Sequence, residues 1–591
     1  MNPDVFFENF ELLTDAPNGV QKLRELILQL TVRGKLVPQD PNDEPASVLI
    51  EKIKAEKKEL VKGNNGRNSK ASINIISDEI FDIPSHWIWT KLGNLGITQT
   101  GTTPSKSEPK FFGNFISFIK PADMSESGVK YDNEMLSELG LNSGRLIPKN
   151  SVLMVCIGGS IGKTCLVDRN VSCNQQINAI SPFSSVDCKF ITFVFKSRYF
   201  QDQVLEKASI GTLPIINKSK WEQISVPLPP LAEQKRIVTK VDELMTLCDK
   251  LEARRQKKQE IQSKLNSAAL DKMLSAENQE EFERYWQRLC ENFDLLYDNP
   301  ENVEKLRQAI LKAGVEGKLT QQWRKKHPDV EPARSLLSKI KEKKKNSEIE
   351  KNRRSKQLKL LDETELSTLP ENWEWTRLDS IADIKGGITK DGKRKVEDGR
   401  EVPYLRVANV QRGYLDLDEI KYIEASETVI SELSLKYGDV LFTEGGDLDK
   451  LGRGWIWQNE LPECIHQNHI FRARLYSEKI ISKFVSWFAN THYQYFMDEG
   501  KQTTNLASIN LTKLRGFLLP LPPYEEQKCI VEKVEQLMGL CDQLKSKLKK
   551  EREDNEKLME AVVKGLLEGA VAEKTELDKP IPLQAAVVKL K

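Results

Sequence analysis

Three blocks of this chain occur twice, in the same order, and that duplication limits its fold more than any other property. Val20-Gln21-Lys22-Leu23-Arg24 returns as Val303-Glu304-Lys305-Leu306-Arg307, and the block closes on Gly34-Lys35-Leu36 against Gly317-Lys318-Leu319, both 283 residues on. Ile83-Pro84-Ser85-His86-Trp87-Ile88-Trp89-Thr90-Lys91-Leu92 returns as Leu369-Pro370-Glu371-Asn372-Trp373-Glu374-Trp375-Thr376-Arg377-Leu378, 286 residues on. Pro227 to Asp249 matches Pro520 to Asp542 at 16 of 23 positions, 293 residues on. Two copies of so long a unit are not a solenoid, which stacks at least three short repeats. They predict a duplicated half-molecule with a pseudo-twofold frame. Between the second and third blocks, residues 96 to 205 and 382 to 498 show little that aligns. A kept frame with diverged inserts suits the presentation of two different reading heads at a fixed separation.

A chain of 591 residues exceeds one hydrophobic core, and its length suggests four or five units. Nothing approaches 18 consecutive apolar residues, and Met1-Asn2-Pro3-Asp4 lacks the features of a signal peptide, so a cytoplasmic protein with no membrane partner is expected. Nine cysteines without a CxxC pair fit free thiols in a reducing compartment. Cys248 and Cys541 hold matching repeat positions within helical patterns, where a small hydrophobe suffices. With 89 basic against 87 acidic residues, any nucleic-acid footprint has to be local. Residues 339 to 358 carry nine Lys or Arg against three acids and read as a solvated helix end and linker. Residues 385 to 412, with eight basic residues against four acids, lie inside an insert and are the more interesting stretch.

The expected organisation follows the repeats. Residues 1–78 form an N-terminal helical region and linker, with an amphipathic helix from Gly19 to Val32 and a second near 45 to 60. Residues 79–226 form a first mixed α/β insert domain and 227–280 a long helix. Residues 281–365 repeat the helical region and linker, 366–519 form the second insert domain, 520–570 the second long helix, and 571–591 a tail. Short β-type runs such as Phe115 to Ile119, Val152 to Ile157, Val402 to Val407 and Asp439 to Thr443 alternate with Gly and Asn turns. Late in each insert a helix is expected, near Ile191 to Lys207 and Ile481 to Asp498. The third block opens on Pro229-Pro230 and Pro522-Pro523 followed by acids, a helix start. Ile237, Val241, Leu244, Cys248 and Leu251, and in the other copy Ile530, Val534, Leu537, Cys541, Leu544 and Leu548, alternate by four and three as a coiled-coil seam does. Homodimerisation would use such a stripe; the duplication supplies an intramolecular antiparallel partner of matched length. The fold class is α+β: two mixed α/β domains joined by long antiparallel coiled-coil helices.

Three constellations look chemical. Ile157-Gly158-Gly159-Ser160-Ile161-Gly162-Lys163-Thr164 resembles a phosphate loop, but Ile157 stands where the first glycine is needed. A glycine-rich turn that brings amides and Lys163 to a DNA phosphate is the better account. Leu521-Pro522-Pro523-Tyr524 resembles the adenine-methyltransferase motif Asp/Asn-Pro-Pro-Tyr, yet leucine cannot accept the target amino hydrogen. Cys464, His466 and His469 suggest zinc, but their counterparts are read as Cys173, Asn174 and Ile177, with no fourth ligand in either copy. No catalytic or nuclease cluster stands out. Trp87, Trp89, Trp373 and Trp375 recur in both frames and read as core and boundary packing.

The order of helix pair, Pro-x-x-Trp-x-Trp-x-x-Leu, insert, Pro-Leu-Pro-Pro-x-x-Glu-Gln-Lys and long helix, all of it twice, resembles the specificity subunit (HsdS) of type I restriction-modification enzymes over nearly the whole chain. The N-terminal helical extension makes it similar to the type IB branch. The resemblance implies a non-catalytic DNA-binding subunit of a restriction system. Each insert would be a target recognition domain reading one half of a split, asymmetric site in double-stranded DNA, with the paired helices setting the unread spacer. Half-sites one helical turn, about 34 Å, apart would lie on one face of the duplex. Two modification subunits binding S-adenosylmethionine would dock on the frame, and two motor-nuclease subunits would use ATP and magnesium; this chain itself would hold no cofactor. Candidate DNA contacts are Thr102, Thr103, Lys106, Arg145 and Lys163 in the first domain. In the second they are Lys390, Lys393, Arg394, Lys395 and Arg400 on a basic, glycine-flanked loop, with Arg406 and Arg453 near strand ends. A coiled-coil adaptor that binds only proteins, and an NTPase built on Gly162-Lys163-Thr164, are the alternatives.

Overall fold

The computed structural model describes residues 18–63, 80–209, 213–350, 368–389, 398–446, 451–499, 501–503 and 506–568. Six helices make the frame: α1 (Gly19–Val32), α2 (Ala46–Gly63), α3 (Leu231–Leu274), α4 (Pro300–Val315), α5 (Ala333–Glu350) and α6 (Tyr524–Glu568). With 44 and 45 residues, α3 and α6 are each about 66 Å long at 1.5 Å per residue.

The described residues condense into two compact units, one of residues 18–259 with 551–568, the other of residues 260–550. Two suffice because the helical pair and the insert domain share one core. In the first unit Leu23, Ile50, Trp87, Phe190, Ile237 and Met559 belong to a single buried cluster. In the second, Leu306, Leu336, Trp373, Phe484, Val534 and Met273 do the same.

Within each unit the two long-helix segments run antiparallel along a third helix. On α1, Arg24 pairs with Asp249 and Glu252 of α3 at 2.6 and 3.1 Å, and Gln39 beyond the helix reaches back to Glu233 at 2.6 Å. The α6 partners ascend instead: Lys22 with Glu556 and Glu560 at 3.1 Å each, Lys35 with the Leu567 carbonyl at 2.7 Å. In the second unit α4 repeats this with the helices exchanged. Arg307 meets Asp542 at 2.5 Å and Leu319 accepts from Lys533 at 2.9 Å, while Lys305 meets Ser263 and Ser267 at 2.8 and 3.1 Å and Lys318 the Leu274 carbonyl. The apolar seams of α3 and α6 are buried except for Leu537, which is half-buried. Helix α4 lies directly on one of them: a Cβ at Gly314 would sit 2.6 Å from a Val534 methyl.

The first insert domain holds β1 (Ile88–Lys91), β2 (Gly96–Thr100), β3 (Phe112–Ile119), β4 (Val152–Val155), β5 (Thr164–Leu166), β6 (Ser172–Cys173), β7 (Ile177–Pro182) and β8 (Ser225–Leu228). Strands β2-β7-β4-β5 form an antiparallel sheet, β3 pairs in parallel with β6, and β1 pairs with β8 to close the domain. The second domain holds β9 (Glu374–Arg377), β10 (Ala382–Gly386), β11 (Gly399–Leu405), β12 (Val440–Thr443), β13 (Ile465–His466), β14 (Ile470–Leu475) and β15 (Leu518–Leu521). Its order β10-β14-β12, parallel pair β11 with β13, and closing pair β9 with β15 repeat the same plan. The single helix expected late in each insert is broken. Helices Cys188–Lys196 and Arg198–Lys207 meet at an extended Ser197 whose hydroxyl caps the Phe200 amide, and Ser482–Thr491 is followed by Tyr493–Glu499.

The three recurring blocks are three sides of one contact. Gly34 ends its helix at φ 65°, and a Cβ there would strike Pro84 at 2.5 Å and Trp87 at 3.1 Å; Gly317, at φ 73°, stands in the same relation to Trp373 at 2.8 Å. The indole N–H groups of Trp87 and Trp373 donate to Glu233 and Glu526 at 2.9 and 2.8 Å. The glutamines that follow, Gln234 and Gln527, accept from the amides of Asp187 and Ile481 at 2.8 Å each and donate to Pro229 and Pro522 at 3.0 and 2.9 Å. The Pro-Pro-x-x-Glu-Gln run is therefore a helix start that ties the long helix to its insert domain.

Candidate nucleic-acid interface

Inserts without alignable sequence share a hydrogen-bond register. In β4 and β7 Val155 faces Ile177; in β12 and β14 Thr443 faces Ile470. The Val155 amide donates to Lys163 at 2.9 Å and the Thr443 amide to Arg453 at 3.0 Å; Gly162 and Gly452 return bonds to Val155 and Thr443 at 2.9 and 3.1 Å. Gly162-Lys163 and Gly452-Arg453 thus form the same turn, with glycine φ values of 87° and 59° that an L side chain rarely adopts.

The cation of each turn lands on an equivalent carbonyl. Lys163 Nζ donates to Pro121 at 3.4 Å and Met124 at 2.9 Å, and Arg453 Nη2 to Val407 at 3.2 Å. Pro121 and Val407 each follow a basic residue that stands just beyond the end of β3 or β11. The Lys120 amide is bonded by the Asp123 carboxylate at 2.8 Å and the Arg406 amide by the Asn409 side chain at 2.9 Å, which fixes both strand ends in one turn geometry. Lys120 pairs with Glu134, and Arg406 with Glu419 at 3.1 Å.

The other candidates divide. The Thr102 amide donates to Cys173 at 2.9 Å, the Thr103 hydroxyl bonds Gln175, and Arg145 donates to the Thr100 carbonyl at 2.8 Å, so these residues share one rim. Lys106 is exposed on the same loop. Lys390, Lys393, Arg394 and Lys395 lie outside the described residues. Arg400 is clamped by Glu463 at 2.7 Å and by Glu427, and those carboxylates raise its pKa. Lys120 escaped the sequence reading, although Ile119-Lys120-Pro121-Ala122-Asp123 against Leu405-Arg406-Val407-Ala408-Asn409 was a signal available there.

The phosphate-loop resemblance meets occupied donors. The amides of Gly158, Ile161 and Lys163 donate to Pro214, Gly158 and Ser160 at 3.0, 3.0 and 3.2 Å. The zinc-like trio needs a corrected register: both Asn174 and Gln467 amides bond the last residue of the parallel strand, so His466 stands opposite Cys173 and His469 opposite Gln176. His466 is buried with Nδ1 2.9 Å from the Ile470 carbonyl, and burial lowers its pKa to about 4. His469 Nδ1 lies 2.6 Å from Glu444, and burial pushes the Cys464 thiol up to about 12. Among the described residues no group of three or more His, Cys, Asp or Glu is placed to hold a metal, and no helix is long and apolar enough to cross a membrane.

The family profile described as Type I restriction modification DNA specificity domain matches the chain twice, at residues 84–263 and 370–553. The EcoAI specificity subunit of Escherichia coli is 29% identical over 573 residues, 92% of this chain and 93% of that one. The EcoEI specificity subunit of the same organism is 28% identical over 93% of this chain and 94% of its own. The solved HsdS subunit from Thermoanaerobacter tengcongensis aligns at 16% identity and a TM-score of 0.44, covering 84% of this chain and all of that one.

Proposed function

The chain belongs to the type I restriction modification DNA specificity family, and from that premise we propose that it reads a bipartite, asymmetric DNA target, one half-site through each recognition domain. It is a specificity subunit of a type I restriction-modification system, a role without catalysis. Two modification subunits that methylate adenine with S-adenosylmethionine, and two motor-nuclease subunits that use ATP and magnesium, assemble on its helical frame, and the long helices set the spacer. The observation that supports this best is the pair of domains that share a three-strand order and register but have unlike loops: a common scaffold offered to two different base sequences. Base edges in the major groove distinguish all four pairs, so unlike loops can specify unlike half-sites. Co-expression with the partner modification subunit, followed by sequencing of host DNA for methylated adenines, tests it. The expected result is one split motif. A soluble complex that adds no methylation would overturn it in favour of an adaptor that binds protein alone.

A further inference from the structure

We infer that the paired basic residues Lys120 with Lys163, and Arg406 with Arg453, form one sequence-independent phosphate anchor repeated in both recognition domains. The inference rests on the DNA-reading function proposed above and assigns a division of labour within it. Between residues 96 to 205 and 382 to 498 the two domains show little that aligns, and their loops differ in length and composition. Against that drift, four features coincide. A basic residue immediately follows the strand that pairs in parallel. Its amide is tied by an Asp or Asn side chain three residues on. A second basic residue follows a left-handed glycine in a turn. The cationic head of the second residue rests on the carbonyl that follows the first.

What two half-sites of different sequence have in common is their sugar-phosphate backbone. A cationic arrangement kept in both domains is therefore fitted to phosphate, which positions without specifying, whereas base readout belongs to elements that differ. The chemistry agrees. Lysine at one copy and arginine at the other both bring a positive charge to a phosphate oxygen, a contact that needs no particular base beside it. An ammonium has three donors, so the two carbonyls that Lys163 bonds orient its head without exhausting it. In Arg406 the buried Nε has no hydrogen-bond partner. Glu134 and Glu419 occupy Lys120 and Arg406 in the unbound protein and compete with an incoming phosphate for the same cations.

The test uses the full-length chain in complex with its modification subunits. Binding to a duplex carrying the methylated motif, and to one of shuffled sequence, is measured across a salt series for the wild type, Lys120→Ala/Lys163→Ala and Arg406→Ala/Arg453→Ala. Each double substitution should weaken binding to both duplexes by the same factor and lower the slope of log K against log salt by about two, because each neutralised phosphate contributes about 0.9. The methylated motif should stay the same. Glu134→Gln and Glu419→Gln should instead tighten binding to both duplexes, and they carry the test if an alanine variant fails to assemble. A loss confined to motif DNA, a motif relaxed at one base, or an unchanged slope would overturn the inference. Wild-type complex that binds no DNA would instead sink the function on which it rests.

Discussion

Glu233 and Glu526 hold the same place at the starts of α3 and α6, yet they are satisfied differently. Glu526 is fully buried and takes Arg324 through Nε at 3.0 Å and Nη2 at 2.7 Å, together with Thr320 at 2.8 Å and Trp373 at 2.8 Å. Glu233 takes the neutral donors Gln39 and Trp87, and burial raises its pKa. Removing the carboxylate from the largely buried Arg324 guanidinium leaves an uncompensated charge, so Glu526→Ala should lower stability by up to about 3–5 kcal/mol. Glu233→Ala strands only neutral donors and should lose about 1–3 kcal/mol. Urea unfolding of the two variants measures the difference, and equal losses would contradict this account of the charge. His466 gives the second domain an acid sensitivity of its own. Its folded pKa, lowered from 6.5 to about 4 by burial, means that between those values the unfolded chain takes up a proton the folded chain refuses. The stability it contributes is complete above pH 6.5 and falls as pH drops toward 4, by about 2 kcal/mol at pH 5 at 1.36 kcal/mol per unit. His466→Cys, which installs the residue found at the equivalent position 173, should remove that difference between unfolding midpoints at pH 7 and pH 5.

At the scale of elements, helix α4 approaches α6 closely because Gly314 has no side chain. An exposed helical glycine changed to alanine usually gains about 1 kcal/mol. Here the added methyl would sit 2.6 Å from a branched, fully buried Val534, and overpacking of about 1–3 kcal/mol should prevail. Gly314→Ala should therefore destabilise the second unit, and Val534→Ala in the same chain should recover part of the loss, a non-additivity that a double-mutant cycle reads directly. The frame was legible in sequence for the same reason. Helices seated by Gly34, Trp87 and Glu233 tolerate few residue types, so their copies still align after duplication. The insert strands tolerate any apolar residue that alternates correctly, and their sequences drifted while hydrogen bonds between backbone groups, blind to side chains, kept the register. That is why the Lys163 and Arg453 turns could not be matched by sequence, with Val155 and Thr443 needed to show it, and why His466 was set against the wrong neighbour. The break at Ser197 was legible only as a hydroxyl within a helical pattern, a residue that caps as readily as it continues.

For the whole molecule, the order of residues along the chain is a poor guide to which half they stabilise. Residues 551–568 at the end of α6 belong to the compact unit that begins the chain. There Met559 is fully buried with Leu23, Ile27 and Val241, while Glu556 and Glu560 hold Lys22. The ion pairs are partly exposed and contribute little, about 0–1 kcal/mol each. The methionine contributes more, and stripping such a side chain from a core removes about 2–5 kcal/mol. A chain ending at Lys550 should therefore weaken its N-terminal unit and spare the unit that contains the cut. Hydrogen exchange followed by mass spectrometry checks this: amides of α1 should exchange faster in the truncated chain, while those of α4 and of β12 and β14 keep wild-type rates. On the proposed reading, the half-site compromised would be the one read by the first recognition domain. In the methylation assay, discrimination should then decline at one side of the split motif alone, from a deletion made at the opposite end of the sequence. Loss of protection spread evenly over both units would instead mean that the end of α6 supports a core common to the whole chain.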